Sequence, residues 1–342
     1  MRTIGWGIIG IGQHADRFIA PAITRAKGAR LVAVVSRDMG RARAFAEKHG
    51  AQGAYDSIPD FLRHPDLEAV FIASPNALHK EHTLLSAQAG KHVLVEKPMA
   101  LTVEDCWAMV EECQRRGVQL GVGFHARQHP AHQEVRRLVQ HGVFGDLVLL
   151  QGQWARGVRG QKSVPPATGL RAWWSDPDLA GGGAIMGMGV HIIDLLRFVS
   201  GQEVTEVVAM TDGQSEAKPL EDLAIATLGF SGGAYGMLVC SRRLPDSLNN
   251  LVVYGVNGRA VGYGTVGTAV TGRLEVETQQ VQTTIAYTAG DMYQAEVEAF
   301  QRAILEGGEP PATGLDGLRV CQVTEAIFRS QREGRRIALS LV

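Results

Sequence analysis

The chain has almost no net charge: 34 Lys and Arg stand against 35 Asp and Glu over 342 residues, a formal charge of −1. Without a basic run it has no electrostatic footprint for nucleic acid or an anionic membrane surface, and neither partner is expected. No stretch reads as the ~18 apolar residues needed to cross a bilayer. The N-terminus shows no basic region, apolar run and cleavage site of a signal peptide, and cysteines without a pairing rhythm make a reducing cytoplasm the expected location. Cysteine is scarce as well. Cys106, Cys113, Cys240 and Cys321 show no CxxC spacing, which argues against a disulfide framework. Cys106 and Cys113, seven apart in a helical stretch, read as small apolar packing groups. The 11 histidines are scattered and form no HExxH or His/Cys cluster, so no metal is expected. His129, His132 and His141, in or near a helical stretch, read as surface histidines. Glycine alone is in excess, at 41 residues or about 12% against a usual ~7%.

The length suggests two domains. Residues 1–124 alternate short apolar runs (Ile4–Ile9, Leu31–Val35, Ala69–Ala73, His92–Val95, Gln119–Val122) with helical stretches (His14–Lys27, Gly40–His49, Leu78–Ala89, Val103–Arg115). Apolar strands joined by helices predict a doubly wound parallel sheet of the Rossmann type. Pro21 predicts a kink or break in the first helix, and Thr102 is placed to cap the last one. Residues 125–342 read differently. A helix over Pro130–His141, a strand near Asp146–Trp154 and an irregular loop Gly157–Gly169 precede a run of strands between Glu203 and Tyr287. Turn signals at Ser231-Gly232-Gly233 and Asn257-Gly258 mark hairpins. Helices follow near Met292–Leu305 and Leu315–Gln331. This half predicts an α+β domain with a large, mostly antiparallel, open-faced sheet for substrate binding and oligomerisation.

Gly10-Ile11-Gly12-Gln13-His14-Ala15 follows the first strand directly and opens the first helix. Gly10 allows the tight turn, Gly12 lets the backbone approach a pyrophosphate, and the small Ala15 lets helix and strand pack closely. At the tip of the second strand, Ser36-Arg37, with Arg41 one turn on, suits a 2′-phosphate and so NADP, with NAD as the alternative. On the other reading Ser36 caps the helix, Arg37 is solvated and Asp38 reaches the ribose. Lys97 follows the fifth strand, where ligands sit in such sheets. A lysine there acts as a proton donor or relay, or simply extends into solvent.

The sequence resembles the Gfo/Idh/MocA oxidoreductases (glucose–fructose oxidoreductase and inositol dehydrogenase-like) nearly end to end. The resemblance rests on Gly10-Ile11-Gly12, Ser74-Pro75-Asn76-Ala77-Leu78-His79, Gly90-Lys91-His92-Val93-Leu94-Val95-Glu96-Lys97-Pro98, and Gly181-Gly182-Gly183 followed by Gly189-Val190-His191-Ile192-Ile193-Asp194. Tyr293, Phe300 and Asp316-Gly317 fit it as well. It looks most like the sugar-reducing and aldose-oxidising members. The resemblance implies that Glu96, Lys97, Ser74, Asn76 and His79 border the cofactor, with Lys97 transferring the proton and a Lys97–Pro98 bond that is often cis. It implies that His191 meets the substrate oxygen, and that His125 and Arg127 border nicotinamide or substrate. Two positions depart from the family pattern. Gly187 stands where an aspartate is usual, four residues before the histidine, and Trp173-Trp174 replaces a Trp-Arg pair. Asp194, one helical turn beyond His191, packs or caps there, or stands near the substrate as a further candidate. Trp154, Trp173 and Trp174 offer flat faces for a sugar ring, or pack in the core.

The expectation is an NADP(H)-dependent oxidoreductase acting on a small carbohydrate, a cyclitol or a related polyol. It is expected to associate as a homodimer or homotetramer, because the family uses such open sheets to associate. The rival readings are a cofactor-binding sensor that has lost turnover, and a redox-assisted glycoside-cleaving enzyme.

Overall fold

The computed structural model describes residues 2–161 and 163–340. The chain divides into two compact units. The first holds the chain through Phe124 together with Ala167–Ala180 and Tyr293–Leu318; the second holds His125–Pro166, Gly181–Met292 and the chain from Arg319 onward. The sequence-based division assigned all of 125–342 to one domain. Two of its segments, 167–180 and 293–318, count instead with the first unit.

The first unit is built on β1 (Ile4–Ile9), β2 (Ala29–Val35), β3 (Gly53–Tyr55), β4 (Ala69–Ile72), β5 (His92–Val95) and β6 (Leu120–Val122), in the order β3-β2-β1-β4-β5-β6. Every pairing in this sheet is parallel. All six residues of β1 and all four of β4 are buried, as expected of strands covered on both faces. Its helices are α1 (Ala20–Arg25), α2 (Met39–His49), α3 (Ile58–Leu62), α4 (His79–Gln88), α5 (Val103–Arg116) and the short α7 (Pro177–Ala180). The long first helix expected from the sequence is interrupted: Ala15–Ile19 winds as a π-helix and α1 takes over at Ala20. Pro21, which has no N–H to return to the preceding turn, sits in the first turn of α1, where the change of winding falls. Thr102 caps α5 by accepting the Asp105 N–H, and α5 buries Cys106, Met109 and Cys113. The short β3 and α3 were not expected from sequence.

The core under β1 gathers Trp6, Ile8 and Leu94 with Tyr293, Val297 and Phe300 of α9 (Met292–Glu306). Trp6 stands 5.7 Å from the Phe300 ring, and its indole N–H donates to Gln301 Oε1 at 3.0 Å.

The second unit carries α6 (Pro130–Gln140), β7 (Leu147–Ala155), α8 (Val190–Ser200) and β8 (Val204–Thr211). Then come β9 (Leu223–Phe230), β10 (Tyr235–Ser241), β11 (Leu251–Gly255), β12 (Gly258–Tyr263), β13 (Arg273–Thr278) and β14 (Gln282–Ala286), and a terminal β15 (Ile337–Ala338). Nine strands form one sheet in the order β14-β13-β12-β11-β7-β10-β9-β8-β15, parallel only between β7 and β10. The two hairpin signals fall where expected, at β9–β10 and β11–β12. The inner face meets α8 closely: a Cβ on Gly152 would lie 2.3 Å from Ile192 Cγ2. The outer face is mixed: Met210, Ile225, Tyr235, Met237 and Tyr254 are exposed, alongside Gln151 and the Arg259–Glu277 ion pair.

Two expectations need correction. Pro177–Ser200 is long and apolar enough to cross a membrane by length and composition, but 83% of its most apolar window is buried within the protein, as in a core helix. His129 and His132 are fully buried rather than on the surface. They point inward from α6, with His129 Nε2 3.1 Å from Thr271 O and His132 Nε2 3.1 Å from Thr265 Oγ1. His141 is exposed.

Candidate active site

In the first unit the carboxyl ends of β1, β4 and β5 bring three sequence motifs together. The glycine loop has the shape that a dinucleotide requires. Gly10 adopts φ +92°, and a Cβ there would come 2.5 Å from the backbone nitrogen of Ser74. A Cβ on Gly12 would meet nothing within 4 Å, which leaves open space beside the loop. A helical stretch begins directly after the loop, and the start of a helix favours phosphate. These features fit a dinucleotide pyrophosphate.

The loop is linked to the segment after β5 through a carboxylate. Glu96 is 7% exposed, and its Oε1 lies 2.8 Å from His14 Nε2 while Oε2 accepts the Lys97 N–H at 3.2 Å. Glu96 therefore joins His14 of the glycine loop to the backbone of Lys97. The His14 ring also packs edge-on against Tyr293 at 5.5 Å. The Lys97–Pro98 peptide bond is cis.

Ser74, Asn76 and His79, expected beside the cofactor, are buried and act as braces. Ser74 Oγ lies 2.9 Å from His82 Nδ1, and Asn76 Nδ2 donates to Ala180 O at 2.9 Å. The His79 ring sits between Pro98 O at 2.8 Å and Ser74 O at 2.9 Å, tying the end of β4 to the end of β5. Burial holds the His79 pKa below its usual value and pushes that of His82 down to about 4.

At the end of β2, Asp38 is the residue that caps α2, accepting the Arg41 N–H at 2.9 Å. Ser36 Oγ accepts the Asp38 N–H at 3.3 Å, and Arg37 and Arg41 are exposed. A cleft of about 510 Å³ opens beside them. It is lined by Ile11, Gly12, Gln13, Asp16, Arg41 and Lys48, with Thr168, Leu170 and Arg171 on its far wall. No sequence motif pointed to Asp16, Lys48 or Arg171. Trp173 and Trp174, in the same segment, are half-buried and stack on each other at 4.3 Å.

The second unit holds a separate histidine cluster. His191, 1% exposed near the start of α8, lies with its ring 4.8 Å from that of His125 and 4.6 Å from that of Trp154. His125 Nε2 is held 3.1 Å from Gly267 O. Arg127 and Asp194, both substrate candidates from sequence, are turned towards each other in a buried ion pair.

The backbone leading to His191 is held by an unexpected residue. Glu221, fully buried, accepts the N–H groups of Gly183 at 3.0 Å and Ile185 at 2.8 Å on Oε1, and the side-chain amide of Gln214 on Oε2 at 2.6 Å. A Cβ on Gly183 would collide with Glu221 O at 1.9 Å, so the glycine run permits this contact. Ile185–Gly189 winds as a π-helix before α8 begins, a geometry frequent at functional sites. Gly187 lies on this turn, and a Cβ there would meet nothing within 4 Å.

A family model described as "Oxidoreductase family, NAD-binding Rossmann fold" matches residues 4–124, and the "GFO/IDH/MocA C-terminal domain" matches residues 132–261. The chain is 30% identical to 1,5-anhydro-D-fructose reductase of Ensifer adhaerens over 331 residues, covering 96% of this chain and 97% of the relative. The chain belongs to the Gfo/Idh/MocA oxidoreductases. The D-apiose dehydrogenase of Paraburkholderia graminis is 30% identical over 91% of this chain and 84% of its own length. The aldose-aldose oxidoreductase of Caulobacter crescentus superposes with a TM-score of 0.89 at 28% identity, over 99% of this chain and all of that one. As a Gfo/Idh/MocA protein the chain is an oxidoreductase with an NAD(P)-binding Rossmann fold.

Proposed function

We propose that this protein is an NADP(H)-dependent dehydrogenase or reductase acting on a CH–OH carbon of a sugar, cyclitol or related polyol. The observation that carries the reading is the joining of the glycine loop to the Glu96-Lys97-Pro98 turn through the His14–Glu96 contact, in a chain whose relatives include a reductase and a dehydrogenase of sugars.

Gly10, Ile11, Gly12, Gln13 and His14 hold the pyrophosphate, with Ser36, Arg37 and Arg41 at the ribose end. When bound, the nicotinamide supplies or accepts the hydride. Lys97 exchanges the proton with the substrate oxygen, and Glu96 fixes the lysine's backbone for that task. For the second unit we assign His191 to substrate binding, and its ring is set by contact with His125 and Trp154. Placement of one such acid–base group contributes about 10²–10⁴-fold to rate. Ser36 in place of a carboxylate at the end of β2, with two exposed arginines nearby, favours the 2′-phosphate over a free 2′-hydroxyl. The exposed apolar residues on the outer face of the nine-stranded sheet support a homodimer or homotetramer, which light scattering of the purified protein reads directly. Exposed apolar patches rimmed by polar residues mark association surfaces.

The deciding experiment titrates the purified protein with NADPH and NADH, then follows nicotinamide absorbance across a panel of sugars and keto-sugars. Binding of neither dinucleotide overturns the proposal. Tight NADPH binding with no turnover on any substrate favours the sensor reading instead.

A further inference from the structure

The cleft beside the glycine loop has two walls that are far apart in sequence. One is the loop with α2, contributing Gly12, Gln13, Arg41 and Lys48; the other is the segment 167–180, contributing Thr168, Leu170 and Arg171. That segment is a fastened strap within the first unit. Its end is held by the Asn76 side chain, which donates to Ala180 O at 2.9 Å. Its middle turn is closed by Arg171 N–H to Thr168 O at 3.2 Å, and Ser175 Oγ accepts the Ala167 N–H at 2.6 Å.

The charges in the cleft do not cancel. Asp16 is committed to Lys48, at 2.7 and 2.8 Å, and to His49 at 2.7 Å. Both partners hold the Asp16 pKa below the usual carboxylate value, so it remains an anion already neutralised. Arg41 and Arg171 have no acidic partner among the described residues, and both line the cleft. Two uncompensated guanidinium groups beside a phosphate-binding loop suit a phosphate dianion, which an arginine engages through two parallel N–H donors.

We propose that Arg171 completes, with Arg41, the subsite for the 2′-phosphate of the dinucleotide, so that the strap 167–180 sets cofactor specificity. The inference rests on the dinucleotide reading given above. Arg171 contributes a charge-assisted contact that a ligand lacking the 2′-phosphate does not engage. Its loss therefore separates the two cofactors instead of weakening both.

Calorimetric titration of wild type, Arg171→Ala, Arg171→Lys and the control Arg43→Ala with 2′,5′-ADP, 5′-ADP, NADPH and NADH tests this without any turnover. Arg171→Ala should weaken 2′,5′-ADP and NADPH by about 10- to 100-fold. It should leave 5′-ADP and NADH within about threefold, with Arg171→Lys in between and Arg43→Ala at wild-type values. Equal losses for ligands with and without the 2′-phosphate overturn the proposal, because Arg171 then reads the pyrophosphate. No loss at all also overturns it. A wild type that binds neither dinucleotide sinks the broader functional reading, a result distinct from a wild type that prefers NADPH regardless of residue 171.

Discussion

Arg127 and Asp194 form a two-pronged ion pair inside the second unit: Arg127 Nε lies 2.9 Å from Asp194 Oδ2, and its NH2 nitrogen lies 2.6 Å from Oδ1. Their side chains are 8% and 1% exposed. The pair joins the turn before α6 to α8 one helical turn beyond His191, so it braces the histidine cluster. Removing one partner of such a pair strands the other charge, at a cost of about 3–5 kcal/mol. Asp194→Leu should therefore lower stability by that order in urea unfolding, and Arg127→Leu/Asp194→Leu should recover most of it. A single mutant as stable as wild type would show that the pair is not a brace.

Lys97→Ala is expected to lower kcat by about 10²–10⁴-fold while the dissociation constant for NADPH stays within a few-fold. Steady-state rates and fluorescence titration of the same preparation read the two effects. An unchanged kcat would remove Lys97 from the proton step.

Glu221→Ala deprives the Gly183 and Ile185 amides of their buried acceptor, at a cost of about 1–3 kcal/mol. Loss of activity should exceed what the fraction unfolded explains, because the segment released is the one that leads into His191. Glu221→Gln keeps an acceptor for those two amides but sets an amide donor against Gln214. It should fall between wild type and Ala, and adding Gln214→Glu should restore it.

Gly187 offers room for a side chain and has no positive φ. Gly187→Ala should raise stability by about 0.4–1 kcal/mol through the unfolded chain. Gly187→Asp should fold and, by placing a carboxylate one turn before His191, raise kcat with a new acid limb in the pH profile. A thermal melt and a pH–rate series separate these effects.

The acid side of stability should be set partly by buried histidines. Desolvation pushes the His132 pKa down to about 3 and that of His82 to about 4. Each folded-state pKa lies below the unfolded value of about 6.5, so the unfolded chain binds more protons between about pH 6.5 and those values. Stability is complete above that window and falls as pH drops through it. Urea midpoints should decline steadily below pH 6.5, and His132→Gln should flatten the decline while lowering stability at neutral pH.

The parallel sheet and the hairpins were legible because their signals are local: apolar runs, a Thr cap and Asn-Gly or Gly-Gly turns each act within a few residues. The hydrogen bond that fixes Asn76 was not, since its partner Ala180 O lies 104 residues away. His129 and His132 were misplaced because a helix pattern with scattered histidines does not reveal which face is covered. Here the loop carrying Thr265 and Thr271 supplies the cover. Glu221 gave no signal, because a lone glutamate in a polar turn looks like a solvated one until the amides of the glycine run close upon it.

The contact between Trp6 and Gln301 spans 295 residues, and this sets an order of events at the ribosome. Ribosomes add about 5–20 residues per second, so the strand made first waits many seconds before α9 emerges to cover it. Until then Trp6 and its neighbours present open apolar surface. A chain that stops short of α9 should therefore be less stable than the full chain, even though every strand of its first sheet has been made.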